Sequence, residues 1–119
     1  MSSSGLPPPF TDEETRTVSI QIVHNPELAR YEAHVGGTLA GFAEYRLTTG
    51  LITFTHTEVD PSFEGQGVGS AIVRFALDEV RAEGTRRVVP LCPFFKRWIH
   101  RHADYRPLVY SARATSPED

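Results

Sequence analysis

The stretch Asp60-Pro61-Ser62-Phe63-Glu64-Gly65-Gln66-Gly67-Val68-Gly69-Ser70 joins a β-type run to a helical one. Gly65, Gly67 and Gly69 let the backbone turn tightly and leave its N–H groups uncovered. The first N–H groups of the helix have no intrahelical partner, and its dipole turns its positive end outward. Such a loop suits a phosphate or pyrophosphate, and several patterns could account for it. A Walker loop needs a lysine directly after its last glycine, but the only lysine is Lys96. A dinucleotide fingerprint needs Gly-x-Gly-x-x-Gly after the first strand of a βαβ unit. Here the spacing is Gly-x-Gly-x-Gly and four β-like segments come first. The bland alternative is a glycine-rich turn that binds nothing.

Working outward, residues 18–22 alternate Val18, Ile20 and Ile22 with Ser19 and Gln21, a strand pattern that Asn25-Pro26 breaks. Residues 30–35 read as a second strand and 38–47 as a third, joined by the two-residue turn Gly36-Gly37. Residues 51–59 form a fourth strand, so the four predict an antiparallel meander. After the glycine loop, Val68, Ile72, Phe75 or Ala76, and Val80 fall at helical spacing, as do Val73 and Leu77. Gly84 stops that helix. Residues 87–91 are a short strand that a crossover helix should leave parallel to the fourth. Cys92 can cap a last helix with Pro93 at its first position. Phe94, Phe95, Trp98, Ile99 and His102 give it an apolar face, with Phe94, Phe95 and Trp98 read as core or, for one of them, as pocket wall. The order is ββββαβα, an α/β (α+β) domain over 17–111 between a Ser- and Pro-rich leader (1–16) and a tail (112–119) expected to be flexible.

At 119 residues the chain predicts one domain. A net charge of −3 with intermixed signs offers no basic stripe for nucleic acid and no polybasic membrane patch. No apolar run approaches the roughly 18 residues of a membrane span, and the N-terminus lacks a signal-peptide layout. A lone cysteine excludes an intrachain disulfide and a multi-Cys zinc site. A cytoplasmic protein, monomer or small homo-oligomer, is expected.

Gly67-Val68-Gly69 resembles the Gly-x-Gly core that opens the central helix of acetyl-CoA-dependent N-acetyltransferases, the GNAT superfamily. Three further words occur in order around it: His56-Thr57-Glu58-Val59, Val89-Pro90-Leu91-Cys92-Pro93-Phe94 and His102-Ala103-Asp104-Tyr105. Together they resemble a minimal subgroup of small acetyltransferase-like proteins with a Cys-Pro-Phe motif, over about residues 32–109. Glu64 stands where the superfamily usually has Arg or Gln, and an acid there repels a pyrophosphate unless its side chain turns away. Ala103 stands where proline is more usual.

The resemblance implies a minimal GNAT-like fold, a mostly antiparallel sheet with a parallel β4-α-β5 unit splayed open between its fourth and fifth strands. Acetyl-CoA as co-substrate would lie in that gap. Its pyrophosphate would meet the backbone from Gly65, Gln66 and Gly67 through Val68, Gly69 and Ser70, and the Val59 N–H would polarise the thioester carbonyl. An unidentified amine, whether small molecule, peptide or protein, would be the acceptor. Strand alternation puts His56 and Glu58 on one face, and either could take the amine proton, directly or through water; packed or solvated roles are the alternative. Cys92, at a helix N-terminus, could carry the acetyl group, reprotonate the leaving thiolate, or simply pack. Tyr105 is a further proton donor or, more simply, a ring packed under the last helix. Arg86 and Arg87 could meet a nucleotide 3′-phosphate or form a solvated face, while His100-x-His102 has the wrong helical spacing for a metal pair, so no metal is expected. A CoA-binding module without catalysis, or a partner-binding α/β protein without CoA, are the rival readings.

Overall fold

A computed structural model describes residues 19–110, so the expected leader, the tail and Val18 lie outside the described residues. Five strands form one sheet in chain order: β1 (Ile20–Asn25), β2 (Arg30–Val35), β3 (Thr38–Thr48), β4 (Leu51–Val59) and β5 (Arg87–Pro90). The first four pair antiparallel and β5 runs parallel to β4. Gly36 and Gly37 take φ of 58° and 83°, the left-handed pair that a two-residue hairpin demands. Helix α1 (Val68–Glu83) makes the crossover, and helix α2 (Pro93–Arg101) follows β5. The mixed α/β order ββββαβα is the expected one. Two short 3-10 turns, Pro61–Phe63 and Ala103–Leu108, are additions that the apolar periodicity did not signal.

Both helices cover one face of the sheet. Val68, Ile72, Val73, Ala76, Leu77 and Val80 bury the inner stripe of α1, while Phe75 remains exposed. Each such Val, Ile or Leu side chain contributes roughly 1.5–3 kcal/mol when fully buried. Phe95 of α2 stacks on Phe54 of β4 with ring centroids 4.1 Å apart. Gly84 closes α1 at φ 68°, its N–H donating to the Val80 carbonyl. Tyr105 packs edge-on against Trp98, and its hydroxyl donates to Asp78 of α1 at 2.6 Å. That bond, with burial, raises its pKa above the ordinary tyrosine value, so Tyr105 ties the C-terminal turn to α1.

The sheet carries two irregularities, at Ala40 and Thr55. Between β3 and β4, Tyr45 faces Phe54 but Glu44 faces His56, so Thr55 is an extra residue. Side-chain parity therefore changes within β4. Ile52 and Phe54 point to the helices, and beyond the bulge Thr57 and Val59 take over that side, opposite Ala43 and Gly41. His56 and Glu58 are turned to the other face.

On that other face Glu32 is nearly buried, at 8% exposure, and accepts hydrogen bonds from Arg30 Nε (2.8 Å) and Asn25 Nδ2 (3.0 Å), with His34 Nε2 at 3.0 Å. These bonds, His34 first and Arg30 next, hold the Glu32 carboxyl at a pKa of about 2, below its ordinary 4.5. A depressed carboxyl stabilises the fold fully above its ordinary pKa, and the contribution is lost as pH falls toward the folded value. Glu32→Gln is expected to lose about 2–3 kcal/mol of unfolding free energy at pH 7. The variant should then be less sensitive than the parent between pH 4.5 and 2. Urea midpoints at both ends of that window check this; parallel acid curves would remove Glu32 from the account.

Candidate active site

Pairing between β4 and β5 ends at Phe54 and Pro90. The Arg87 N–H donates to the Gly50 carbonyl next to β4, so by strand alternation Val89 and Leu91 also face β4, while Val88 and Pro90 face the opposite edge. The Leu91 N–H turns back to the Val89 carbonyl (3.1 Å), and the Cys92 N–H makes a last link to the Phe54 carbonyl (3.0 Å). Beyond it, residues 55–59 have no β5 partner. The Asp60 N–H bonds the Ala40 carbonyl at 2.8 Å, toward β3. Because strand backbone groups alternate in direction, the Val59 N–H points the other way, into the gap.

The same gap receives the start of α1. Gly67 is its N-cap, at φ 82°, and no side chain caps the helix. The first intrahelical bond runs from the Ala71 N–H to the Gly67 carbonyl, so the N–H groups of Val68, Gly69 and Ser70 are left without intrahelical partners. Gly65 also lies at positive φ, 83°. Gly69 matters for a different reason: a Cβ there would come within 2.7 Å of the tip of the Phe94 ring, which would have to shift in the cleft. Thr57 and Val59 from β4, Phe63, the loop glycines, Ser70 and Phe94 enclose an open cleft of about 530 Å³.

Of the residues picked out from sequence, Val59, Gly65, Gly67, Val68, Gly69 and Ser70 line this cleft; Gln66 is exposed and does not. Glu64 also lines it and has no ion-pair partner among the described residues. Cys92 is buried behind the wall, at the point where the strands part, and its S–H donates to Thr57 Oγ1 at 3.3 Å. His56 and Glu58 share a face, with Nε2 and Oε1 3.1 Å apart, and are 54% and 62% exposed. They lie on the open face of the sheet, one residue to either side of the cleft-lining Thr57. Thr57, Phe63 and Phe94 were not singled out as individual site residues. Phe94 is half-buried in the cleft while Phe95 and Trp98 form core, a division that helical periodicity alone does not make.

Arg86 and Arg87 follow the C-terminal end of α1. Sixteen residues of helix separate them from Gly67, about 24 Å, which takes them away from the cleft. His102 stacks on Trp98 at 3.7 Å, its Nδ1 2.7 Å from the Trp98 carbonyl oxygen, while His100 is exposed. Among the described residues no three His, Cys, Asp or Glu side chains cluster as metal ligands, and no helix is long and apolar enough to cross a membrane.

A family model described as GCN5-related N-acetyl-transferase matches residues 30–108. The chain belongs to that family. The match spans β2 to the last 3-10 turn and so contains every element around the cleft. Solved structures share the GNAT fold. A GCN5-like protein of Staphylococcus aureus, 19% identical, matches with a TM-score of 0.60 over 76% of this chain and 88% of its own. The ribosomal-protein-alanine N-acetyltransferase of Brucella melitensis biovar Abortus 2308, 17% identical, matches at 0.52 over 81% and 93%. The ribosomal-protein-S18-alanine N-acetyltransferase of Escherichia coli, 19% identical, matches at 0.47 over 65% of this chain but only 46% of its own, so this GNAT chain spans under half of that enzyme. Identities this low carry the fold alone. No curated protein matches the chain.

Proposed function

We propose that this GNAT-family protein binds acetyl-CoA in the cleft between β4 and α1 and transfers its acetyl group to a primary amine. One observation carries the reading: an unpaired strand edge and an uncapped helix N-terminus line the same cleft. The first can pair with an amide-bearing pantetheine arm, and the second can hold a pyrophosphate. When bound, acetyl-CoA supplies an activated thioester. Val59 donates its N–H toward the thioester carbonyl, and the backbone of 67–70 neutralises phosphate charge. His56 or Glu58 takes the proton of an amine arriving from the open face. Cys92, buried and donating its S–H to the cleft-lining Thr57, passes a proton through that hydroxyl to the departing thiolate rather than carrying the acetyl group, and regains one from solvent after turnover. Glu64, unpaired at the cleft wall, weakens phosphate binding by repulsion.

Thermal-shift titration with acetyl-CoA, CoA, ATP and NAD tests the ligand. A ligand at 100 times its Kd adds about 2.7 kcal/mol of apparent stability. Stabilisation by CoA and acetyl-CoA alone is the expected result. No shift near millimolar CoA would reject the reading and leave a partner-binding role. A shift without turnover would leave a CoA-binding module, a second reading favoured by the uncovered sheet face, which gives an acceptor few walls.

A further inference from the structure

A second groove continues from the cleft and shares Ser70 and Phe94 with it. Its walls are the first turns of α1 and the outer stripe of α2. Phe94, Arg97 and Arg101 stand at i, i+3 and i+7 on α2, so they form one row. The row starts at the cleft and ends on two guanidinium groups that line the groove. Neither Arg97 nor Arg101 has a carboxylate within ion-pair distance among the described residues. The helix C-terminus favours the Arg101 cation, and an anion between the two guanidinium groups would relieve their mutual repulsion. The floor is fixed. Trp98 Nε1 donates to Ser70 Oγ at 2.7 Å, His102 stacks beneath the indole, and the Arg74 guanidinium lies 5.2 Å from its centre. No acidic side chain among the described residues lines the groove.

We infer that Arg97 and Arg101 form a phosphomonoester subsite that receives the 3′-phosphate of CoA; this rests on the cleft holding CoA as proposed above. CoA carries its 3′-phosphate on the ribose bonded to its pyrophosphate. A pyrophosphate on the α1 N-terminus therefore needs the second anion site one ribose away, in a groove that shares a wall residue with the first. Guanidinium forks pair well with phosphate oxygens. The subsite makes the protein selective for CoA over the same molecule lacking that phosphate.

Isothermal titration with CoA and 3′-dephospho-CoA tests this in the parent, in Arg97→Gln/Arg101→Gln, and in Arg46→Gln/Arg87→Gln. The last removes the same charge from exposed positions outside the groove. The parent should bind CoA about tenfold or more tighter than dephospho-CoA. The groove variant should lose that ratio through weaker CoA binding alone, and the control should keep it. Overturning results are a parent ratio near one, a ratio that survives in the groove variant, or an equal loss in the control. A parent that binds neither ligand overturns the cleft assignment itself, which separates the two failures.

Discussion

Gly67→Val is expected to weaken CoA binding at least 100-fold while the chain still folds cooperatively. Gly67 holds φ 82° at the N-cap of α1, a conformation that a β-branched residue adopts only at a cost of roughly 1–3 kcal/mol. A Cβ there would meet nothing within 4 Å, so the core does not resist the new side chain. What changes is the loop: to relieve strain it must rotate away from positive φ, which redirects the N–H groups proposed to hold phosphate. The added methyl groups also occupy space a phosphate would fill. A side chain at position 69 would act differently, by displacing the ring of Phe94, a wall of the cleft. Calorimetric titration with CoA, beside a thermal melt, measures both parts for Gly67→Val. Parent-like affinity in that variant would remove the loop from the binding site.

The double variant His56→Ala/Glu58→Ala is expected to lose 100-fold or more in kcat, about 2.7 kcal/mol of barrier. Its CoA affinity should be unchanged, since both side chains lie on the sheet face opposite the helices. With the two groups 3.1 Å apart, one can substitute partly for the other, so single variants should lose less than the pair. Spermidine and a short lysine peptide serve as trial acceptors, and the variant is compared on whichever supports turnover in the parent. Turnover within twofold of the parent would exclude both groups as the base. In the same assay Cys92→Ser and Cys92→Ala should both lose activity, because a serine hydroxyl is too weak an acid to reprotonate a thiolate; parent-like turnover in Cys92→Ser would deny Cys92 a proton-transfer role.

The elements were legible because their signals are local. Alternating Val and Ile, the Gly36-Gly37 turn, the Gly84 stop and Cys92-Pro93 at a helix start each act through the backbone of a few residues. Helix α1 begins and ends where those signals place it. The site was legible as a loop but not as a cleft. No residue type marks Thr55 as an extra residue, because a bulge is a mismatch between two strands and each strand alone looks regular. Reading β4 by itself gives His56 and Glu58 a common face, but only the pairing with β3 says which face. Likewise Gly67 is explained by its own backbone angle, whereas Gly69 is explained by Phe94, a ring 25 residues later in the chain. Arg97 and Arg101 were not singled out from the sequence, because α1 supplies the other wall of their groove.

Leu91 has a bearing on how quickly a ligand could be captured. Strand alternation aims its N–H at β4, but the Val89 carbonyl takes that donor, so a local backbone turn holds the seam open. A β5 that ran on straight could close the seam when empty, and each arriving molecule would first have to pry it apart. With the edge already open among the described residues, association of the proposed ligand is expected to depend on encounter and orientation, without a lag for parting the strands.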